Sequence, residues 1–173
     1  MKKAFILVDY QNDFIDGALG FERAKNLRSK VLEKLCSLDF KQSDLLITYD
    51  THSEDYLQTK EGLNLPIKHC LKDSEGWHLP DYLEPFKAKA KKIFHKHTFG
   101  SLELANFLHK EQYEQIEFAG LVSHICVFHN IILAFNAGLN TKLILHKDCT
   151  ASFDENLEKA AFDLLKAFWV ELV

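Results

Sequence analysis

The sequence lacks the features that mark membrane, nucleic-acid-binding and disulfide-rich proteins. No uninterrupted apolar run reaches the roughly 18 residues that a membrane-spanning helix needs. The net charge of −4 argues against a nucleic-acid partner, for which a basic stripe would be expected. The four cysteines form no CxxC pair, so a disulfide scaffold is not expected. The apolar run Ala4–Val8 is too short for a signal peptide. We therefore expect a cytoplasmic protein with reduced thiols.

Strand-like and helix-like stretches alternate along the chain. Short apolar runs are typical of parallel strands that are buried on both faces, and apolar residues at helical spacing lie between them. The predicted strands are Ala4–Val8, Leu45–Tyr49, Lys92–His95, Ile116–Leu121, Lys142–His146 and Trp169–Val173. A capping box at Ser152–Glu155 predicts the start of the last helix. This order predicts one α/β domain over residues 1–173, a parallel sheet with helices on both faces.

Reactive side chains follow several of the predicted strands. Asp9 follows the first strand, Asp50 and His52 the second, Lys96 the third, and Cys126 the fourth. Because ligands bind at the carboxyl ends of strands in an open parallel sheet, these residues are candidates for one site. An acid at a strand end can equally cap a turn or a helix. Residues 51–91 form a long irregular connection that holds all three prolines, and such a loop is usually functional.

The segment Gly120–Asn130, GLVSHICVFHN, combines a strand end, a turn and the start of a helix. Cys126 is expected in the first turn of that helix, where unpaired backbone N–H groups favour the thiolate. A lone cysteine is more often a small buried apolar residue. The segment therefore offers a nucleophile only if other residues activate it.

Three motifs carry a resemblance to a known family: Asp9–Phe14 (DYQNDF), the segment around Lys96, and GLVSHICV, with Asp148–Ser152 (DCTAS) following late in the chain. Together they resemble the isochorismatase-like cysteine hydrolases. The resemblance implies a three-layer, doubly wound, six-stranded parallel sheet of Rossmann-like topology.

The same resemblance assigns roles to particular residues. It implies that Asp9 is the general base, Lys96 its charged partner and Cys126 the nucleophile of an amide hydrolysis through a thioester. It also implies a cis peptide at Leu121–Val122, and an oxyanion hole formed by the N–H groups of Val122 and Cys126.

Within the family, Asp50-Thr-His52 followed by His69-Cys70 resembles the metal site of nicotinamidases. Residues two apart on an extended segment point to the same side, so Asp50 and His52 could share an ion. Glu61 is the candidate fourth ligand, with water as the alternative. Carboxylate and imidazole ligands suit Zn, Mn or Fe. Without the resemblance, an Asp-x-His pair would carry little weight.

The predicted substrate pocket is less well defined. Phe14 and Phe99 match the pocket aromatics of the family, although each could be ordinary core packing. Nicotinamidases often have Trp-Pro before the His-Cys pair, where this chain has Leu65-Pro66, and a Gly-Thr pair is replaced by Asp73-Ser74. His124 and His129 have no assigned role, and Cys70 and Cys149 are interpreted as structural.

Three functions stay open at this stage. The first is a metal-assisted nicotinamidase, which forms nicotinate and ammonia in NAD salvage. The second is an amidase of the same family for another small amide or carbamoyl compound, and the third is a non-catalytic binding protein. We expect a small-molecule amide substrate and no nucleic-acid or membrane partner, and a homo-oligomer is an open alternative. Asp9, Lys96 and Cys126 favour an enzyme, and the predicted metal ligands favour the first function.

Overall fold

The chain folds into a six-stranded parallel sheet between two layers of helices. The computed structural model describes all residues, Met1–Val173. The strands are β1 (Lys3–Val8), β2 (Ser43–Asp50), β3 (Lys92–Lys96), β4 (Gln115–Leu121), β5 (Lys142–Ala151) and β6 (Glu171–Leu172). Their order in the sheet is β3-β2-β1-β4-β5-β6, and every neighbouring pair is parallel. The predicted α/β fold class is confirmed.

Helices and short turns connect the strands. The helices are α1 (Asn12–Ile15), α2 (Glu22–Lys25), α3 (Arg28–Cys36), α4 (Lys60–Asn64), α5 (Glu84–Lys87), α6 (Leu102–Glu111), α7 (Phe128–Ala137) and α8 (Glu155–Ala167). Single 3₁₀ turns lie at Tyr56–Gln58, Glu75–Trp77 and Asp81–Leu83, and a π-helical turn spans Ser123–Val127. None of the helices combines the length and the apolar character that crossing a bilayer requires.

The hydrophobic core is divided by the sheet into two clusters. Alternate residues of β1 show the division, because Phe5 and Leu7 pack in one cluster while Ile6 and Val8 pack in the other. The first cluster includes residues of α3, and the second includes residues of α6, α7 and α8. A strand that is buried on both faces must be apolar throughout, which explains the uninterrupted run in β1.

The end of the chain differs from the sequence prediction. The last strand is only Glu171–Leu172, because Trp169 adopts a left-handed conformation with φ 63° and Val170 N–H still bonds to the Leu165 carbonyl at the end of α8. The predicted strand Trp169–Val173 was therefore too long.

The predicted capping box was wrong as well. Asp154, not Ser152, caps α8, since its Oδ1 accepts the N–H groups of Asn156 and Leu157 at 2.9 and 3.0 Å. The Ser152 hydroxyl instead accepts the Asp154 N–H and contacts His124. Aspartate caps a helix as well as serine does, so the pattern alone placed the helix start too early.

Gly120, near the end of β4, is required by backbone geometry. Its φ is +121°, and a Cβ added there would lie 2.0 Å from the Val8 carbonyl oxygen of the neighbouring strand. Only glycine adopts this conformation readily, so β4 can approach β1 just before the turn that carries Cys126.

Replacing Gly120 by alanine should destabilise the protein by about 3 kcal/mol, because backbone strain adds to overlap with Val8. Urea unfolding measures the change. Gly100→Ala is the matched control, since the one close contact of a Cβ there is the terminal Cδ1 of Leu133, at 2.6 Å, which can move. Equal unfolding midpoints for the two variants would contradict the steric explanation.

Candidate active site

The reactive residues meet at the carboxyl ends of four adjacent strands, β3, β2, β1 and β4. Asp9 directly follows β1, Asp50 is the last residue of β2, and Lys96 is the last residue of β3. Asp50 and Lys96 are register partners across the β2–β3 pair. Cys126 lies in the π-helical turn after β4. The sheet order places β1 between β2 and β4, so these four side chains converge on one edge.

Lys96 is the centre of this group. Its Nζ lies 2.6 Å from Asp9 Oδ2 and 3.1 Å from Asp50 Oδ1, and it donates to Cys126 Sγ at 3.5 Å. All four residues are buried, with Asp9 fully inaccessible. The Thr48 hydroxyl donates to the other oxygen of Asp9 at 2.6 Å. Asp9 Oδ2 has no further partner, which leaves it free to accept a proton.

Burial and charge shift the ionisation of these groups. Burial raises the pKa of Asp9, even though the Lys96 ammonium opposes this shift. Burial alone would also raise the pKa of Asp50, but Lys96, His52 and His69 hold it well below its ordinary value. Burial would lower the pKa of Lys96, and the neighbouring Asp50, Asp9 and Cys126 keep it well above its usual range. The ammonium therefore stays charged.

The ionisation of Cys126 differs from the sequence expectation. Burial raises the pKa of the thiol well above its ordinary value, and the Asp9 and Asp50 carboxylates add to the effect that Lys96 opposes. The thiolate form that we expected at a helix start is not favoured. The desolvation of a buried anion costs more free energy than its interaction with a few N–H dipoles provides. The raised pKa thus favours the neutral thiol form of Cys126.

The backbone before Cys126 has the expected cis peptide between Leu121 and Val122. The Val122 carbonyl accepts the N–H groups of Ile125 and Val127, which holds the π-helical turn closed. Val122 and Cys126 both line the cavity described below. The assignment of their N–H groups to an oxyanion hole stays a prediction.

Four side chains beside Lys96 form a cluster of potential metal ligands: Asp50, His52, Glu61 and His69. One ligand atom from each lies within 4.8 Å of all the others. His52 Nε2 is 3.0 Å from Asp50 Oδ2, and His69 Nε2 is 3.4 Å from both Asp50 Oδ2 and Glu61 Oε1. Ligands about 2.1 Å from a tetrahedral ion lie about 3.4 Å apart, so this spacing fits a divalent cation.

The environment of His69 supports the same interpretation. Its Nδ1 lies 2.8 Å from the Ile67 carbonyl, which fixes that nitrogen as the donor and leaves Nε2 free to bind a metal. Burial would lower the pKa of His69, but contacts with Asp50 and Glu61 raise it to about 10. The two carboxylates therefore attract positive charge to this position, which either a proton or a metal ion can supply.

Two residues of the DYQNDF motif hold the cluster in place, although the sequence interpretation gave them no role. Gln11 binds both the N–H and the carbonyl of Asp50 through its side-chain amide. Asp13 accepts the N–H of Cys70 at 2.7 Å and so anchors the residue next to His69. The sequence feature that could have indicated this role is their position in a motif rich in polar residues.

A cavity of about 920 Å³ opens above Cys126 and the metal cluster. Both predicted pocket aromatics line it. The Phe14 ring packs edge-on against His69 at 5.7 Å, and Phe99, 38% exposed, packs against His129. Leu65 lies in the wall. The lining residues are Phe14, Leu19, Gly20, Phe21, Asp50, Thr59, Lys60, Glu61, Asn64, Leu65, His69, His97, Thr98, Phe99, Val122, Ile125, Cys126 and Phe153.

The remaining histidines and cysteines of the sequence discussion lie outside the cavity lining. His124 Nδ1 contacts the Ser152 hydroxyl at 2.8 Å, and His129 Nδ1 contacts the Ile125 carbonyl at 2.7 Å. Cys70 and Cys149 are buried free thiols. None of these four residues contacts the sulfur of Cys126.

A partly buried polar network beside the π-helical turn was also missed. Glu158 on α8 accepts the Ser123 hydroxyl at 2.9 Å and the Arg23 guanidinium at 2.6 Å. Arg23 also donates to the Ser152 carbonyl. The network joins α2, the π-helical turn and the start of α8. These residues are far apart in the sequence, so no local pattern indicates the contact.

Comparison with known proteins identifies the family. Residues 3–173 match the isochorismatase domain. The chain belongs to the isochorismatase family. A Bacillus subtilis relative described as an uncharacterized isochorismatase family protein PncA is 28% identical over 171 residues, which cover 90% of this chain and 89% of the relative.

Solved structures show the same fold. The crystal structure of nicotinamidase PncA from Bacillus subtilis is 26% identical, with a TM-score of 0.84 over 100% of this chain and 99% of that chain. A Pyrococcus horikoshii pyrazinamidase in complex with zinc has 22% identity and a TM-score of 0.83 over 100% of this chain and 99% of that chain. The expected relationship to amidohydrolases of this family is confirmed.

Replacing Lys96 by methionine should lower the stability of the metal-free protein by about 3–5 kcal/mol, since Asp9 and Asp50 would stay buried without a counter-charge. Urea unfolding near pH 7 measures the loss. Lys159→Met is the control, because the Lys159–Asp163 pair is exposed and should contribute nothing measurable. A Lys96 variant as stable as this control would mean that the carboxylates do not need the ammonium.

Replacing His52 by alanine should reduce zinc affinity by more than about 100-fold, because the change removes a ligand rather than only a group that orients one. Titration with Zn²⁺ by calorimetry, followed by elemental analysis of dialysed protein, measures the effect. His109→Ala removes an exposed histidine on α6 and should leave zinc binding unchanged. Equal zinc content in both variants would place the metal elsewhere.

Proposed function

We propose that this chain is a metal-assisted cysteine amidohydrolase that converts nicotinamide and water to nicotinate and ammonia. One observation carries the proposal: a buried lysine contacts a carboxylate and a cysteine sulfur beside four potential metal ligands, all at one cavity. Similarity to a nicotinamidase structure at 26% identity supports the choice of substrate. In this proposal the protein acts in the cytoplasm and in NAD salvage.

The first step needs a base for the neutral thiol. Asp9 accepts the proton of Cys126, and its raised pKa makes the carboxylate a stronger base than an exposed aspartate. The sulfur attacks the amide carbon, a C–S bond forms, and the carbonyl oxygen becomes an oxyanion. The N–H groups of Val122 and Cys126 stabilise this oxyanion, and a single such donor contributes roughly 3–4 kcal/mol in other hydrolases.

The intermediate then collapses and breaks the C–N bond. The leaving nitrogen takes the proton from Asp9 and departs as ammonia, which leaves a thioester on Cys126. Water attacks the thioester while Asp9 accepts one of its protons. The C–S bond breaks, the acid product leaves, and Asp9 returns the proton to the sulfur. Lys96 stays protonated and offsets the negative charge as it moves between Asp9 and Cys126.

Asp50, His52, His69 and Glu61 would hold the divalent ion, whether Zn, Mn or Fe. When bound, the ion acts as a Lewis acid for a ring nitrogen and so orients the substrate. Phe14, whose ring packs against His69, offers an apolar surface for the substrate ring.

A second candidate is an amidase for a different amide. Leu65 lines the cavity wall, and unlike an aromatic residue it offers no ring on which a planar substrate could stack. The cavity is also large for a substrate with a single ring. A non-catalytic binding role is disfavoured, because it would not need a cysteine, a base and a buried ammonium in contact.

Cys126→Ala should reduce ammonia release from nicotinamide by at least about 1,000-fold, because no other nucleophile replaces the thiol. The assay uses zinc-loaded protein with nicotinamide, pyrazinamide and several unrelated amides. Cys149→Ala, which removes another buried free thiol, is the matched control and should retain activity.

Two results would contradict the proposal in different ways. Hydrolysis of another amide without turnover of nicotinamide would favour the second candidate. No turnover of any amide, together with a Cys126 that resists iodoacetamide, would rule out cysteine catalysis.

A further inference from the structure

Part of the cavity lining is apolar and contains none of the potential metal ligands. We call it the apolar arm, formed by Leu19, Phe21, Ile125 and Phe153. These residues come from the connection between α1 and α2, the π-helical turn, and the residues between β5 and α8. Ile125 directly precedes Cys126, so the arm begins beside the nucleophile.

The arm has a fixed shape. Leu19, Phe21 and Ile125 pack against the hydrophobic core, which holds their inner surfaces. Phe153 meets Phe21 edge-to-face with ring centroids 6.0 Å apart, and it packs against His124 at 5.2 Å. His124 is in turn bound by the Ser152 hydroxyl. The network around Ser152 therefore positions the outer aromatic of the arm.

The arm is apolar and incompletely covered. Phe153 is 61% exposed, although it is oriented by its neighbours and lines the cavity. The acidic and basic residues of the lining include Asp50 in β2, Lys60 and Glu61 in α4, and His69, and none of them belongs to the arm. An exposed apolar surface inside a cavity marks a place that a ligand covers.

The volume of the cavity also indicates a ligand that is larger than nicotinamide. Small-molecule sites of about 300–1,000 Å³ hold drug-sized ligands, and this cavity of about 920 Å³ is at the upper end of that range. Nicotinamide has only one six-membered ring and an amide, so it fills only part of a cavity of about 920 Å³.

We infer that the preferred substrates are aromatic amides whose ring carries an uncharged apolar extension that fills the arm of Leu19, Phe21, Ile125 and Phe153. This inference rests on the proposed amidohydrolase function and narrows its substrate class. The amide is cleaved by the steps given above, and the extension contributes only binding.

The test compares nicotinamide with 5-phenylpyridine-3-carboxamide, which keeps the ring nitrogen and amide and adds one apolar group. In zinc-loaded protein, kcat/KM for the phenyl compound should exceed that for nicotinamide by at least about tenfold, the lower end of what one methylene contributes in a fitted apolar pocket. Phe153→Ala should lower this ratio by about tenfold. Phe168→Ala is the matched control, because Phe168 is 37% exposed, packs on Phe135 and lies outside the cavity lining.

A binding measurement separates this inference from the proposed function. Calorimetry with Cys126→Ala protein should give a Kd for the phenyl compound at least tenfold below that for nicotinamide, and Phe153→Ala in the same background should remove the difference. A Kd no lower than that of nicotinamide overturns the inference, whatever the activity shows. If neither amide is hydrolysed, the proposed function is wrong, and the two Kd values still decide whether the arm binds apolar extensions.

Discussion

The buried ammonium of Lys96 is the interaction on which the candidate active site depends. Only 3% exposed, Lys96 faces Asp9, Asp50 and the sulfur of Cys126 within 3.5 Å. Without it, two carboxylates would remain buried near each other, a state that proteins avoid by protonation or unfolding. The contact exists because β1 lies between β2 and β4 in the sheet. Strand order thus assembles the charges that the chemistry would use.

Asp50 joins the two halves of the site, because its two oxygens have different partners. Oδ1 accepts from Lys96, while Oδ2 faces His52 and His69. A cation in the ligand cluster would draw electron density from the carboxylate that balances Lys96. Metal binding there would therefore be coupled to the ionisation of Asp9 and Cys126 through one side chain. Gln11 fixes the backbone of Asp50 and so keeps this link rigid.

The sequence predicts features that depend on local composition. β1 is an apolar run because both of its faces are buried, and the reactive residues follow strands because parallel strands share one carboxyl edge. Contacts between distant residues leave no such pattern. The bond from Ser123 to Glu158 joins residues 35 positions apart. The raised pKa of Cys126 depends on its burial, which only the folded chain determines. The sequence pattern placed the start of α8 too early because Ser152 and Asp154 are equally good helix-capping residues, and the pattern alone does not distinguish between them.

Chemistry and substrate choice come from different parts of the fold. Asp9, Asp50 and Lys96 lie at the ends of three adjacent strands, where hydrogen-bonded neighbours fix the backbone. The apolar arm and Leu65 come from connections and turns, which change with little cost to the core. Membership of the family and an intact set of reactive residues therefore support amide hydrolysis more strongly than any one amide. In the proposed reaction, the loops that form the cavity wall would decide which acyl group reaches Cys126, because they supply most of the surface that a substrate contacts.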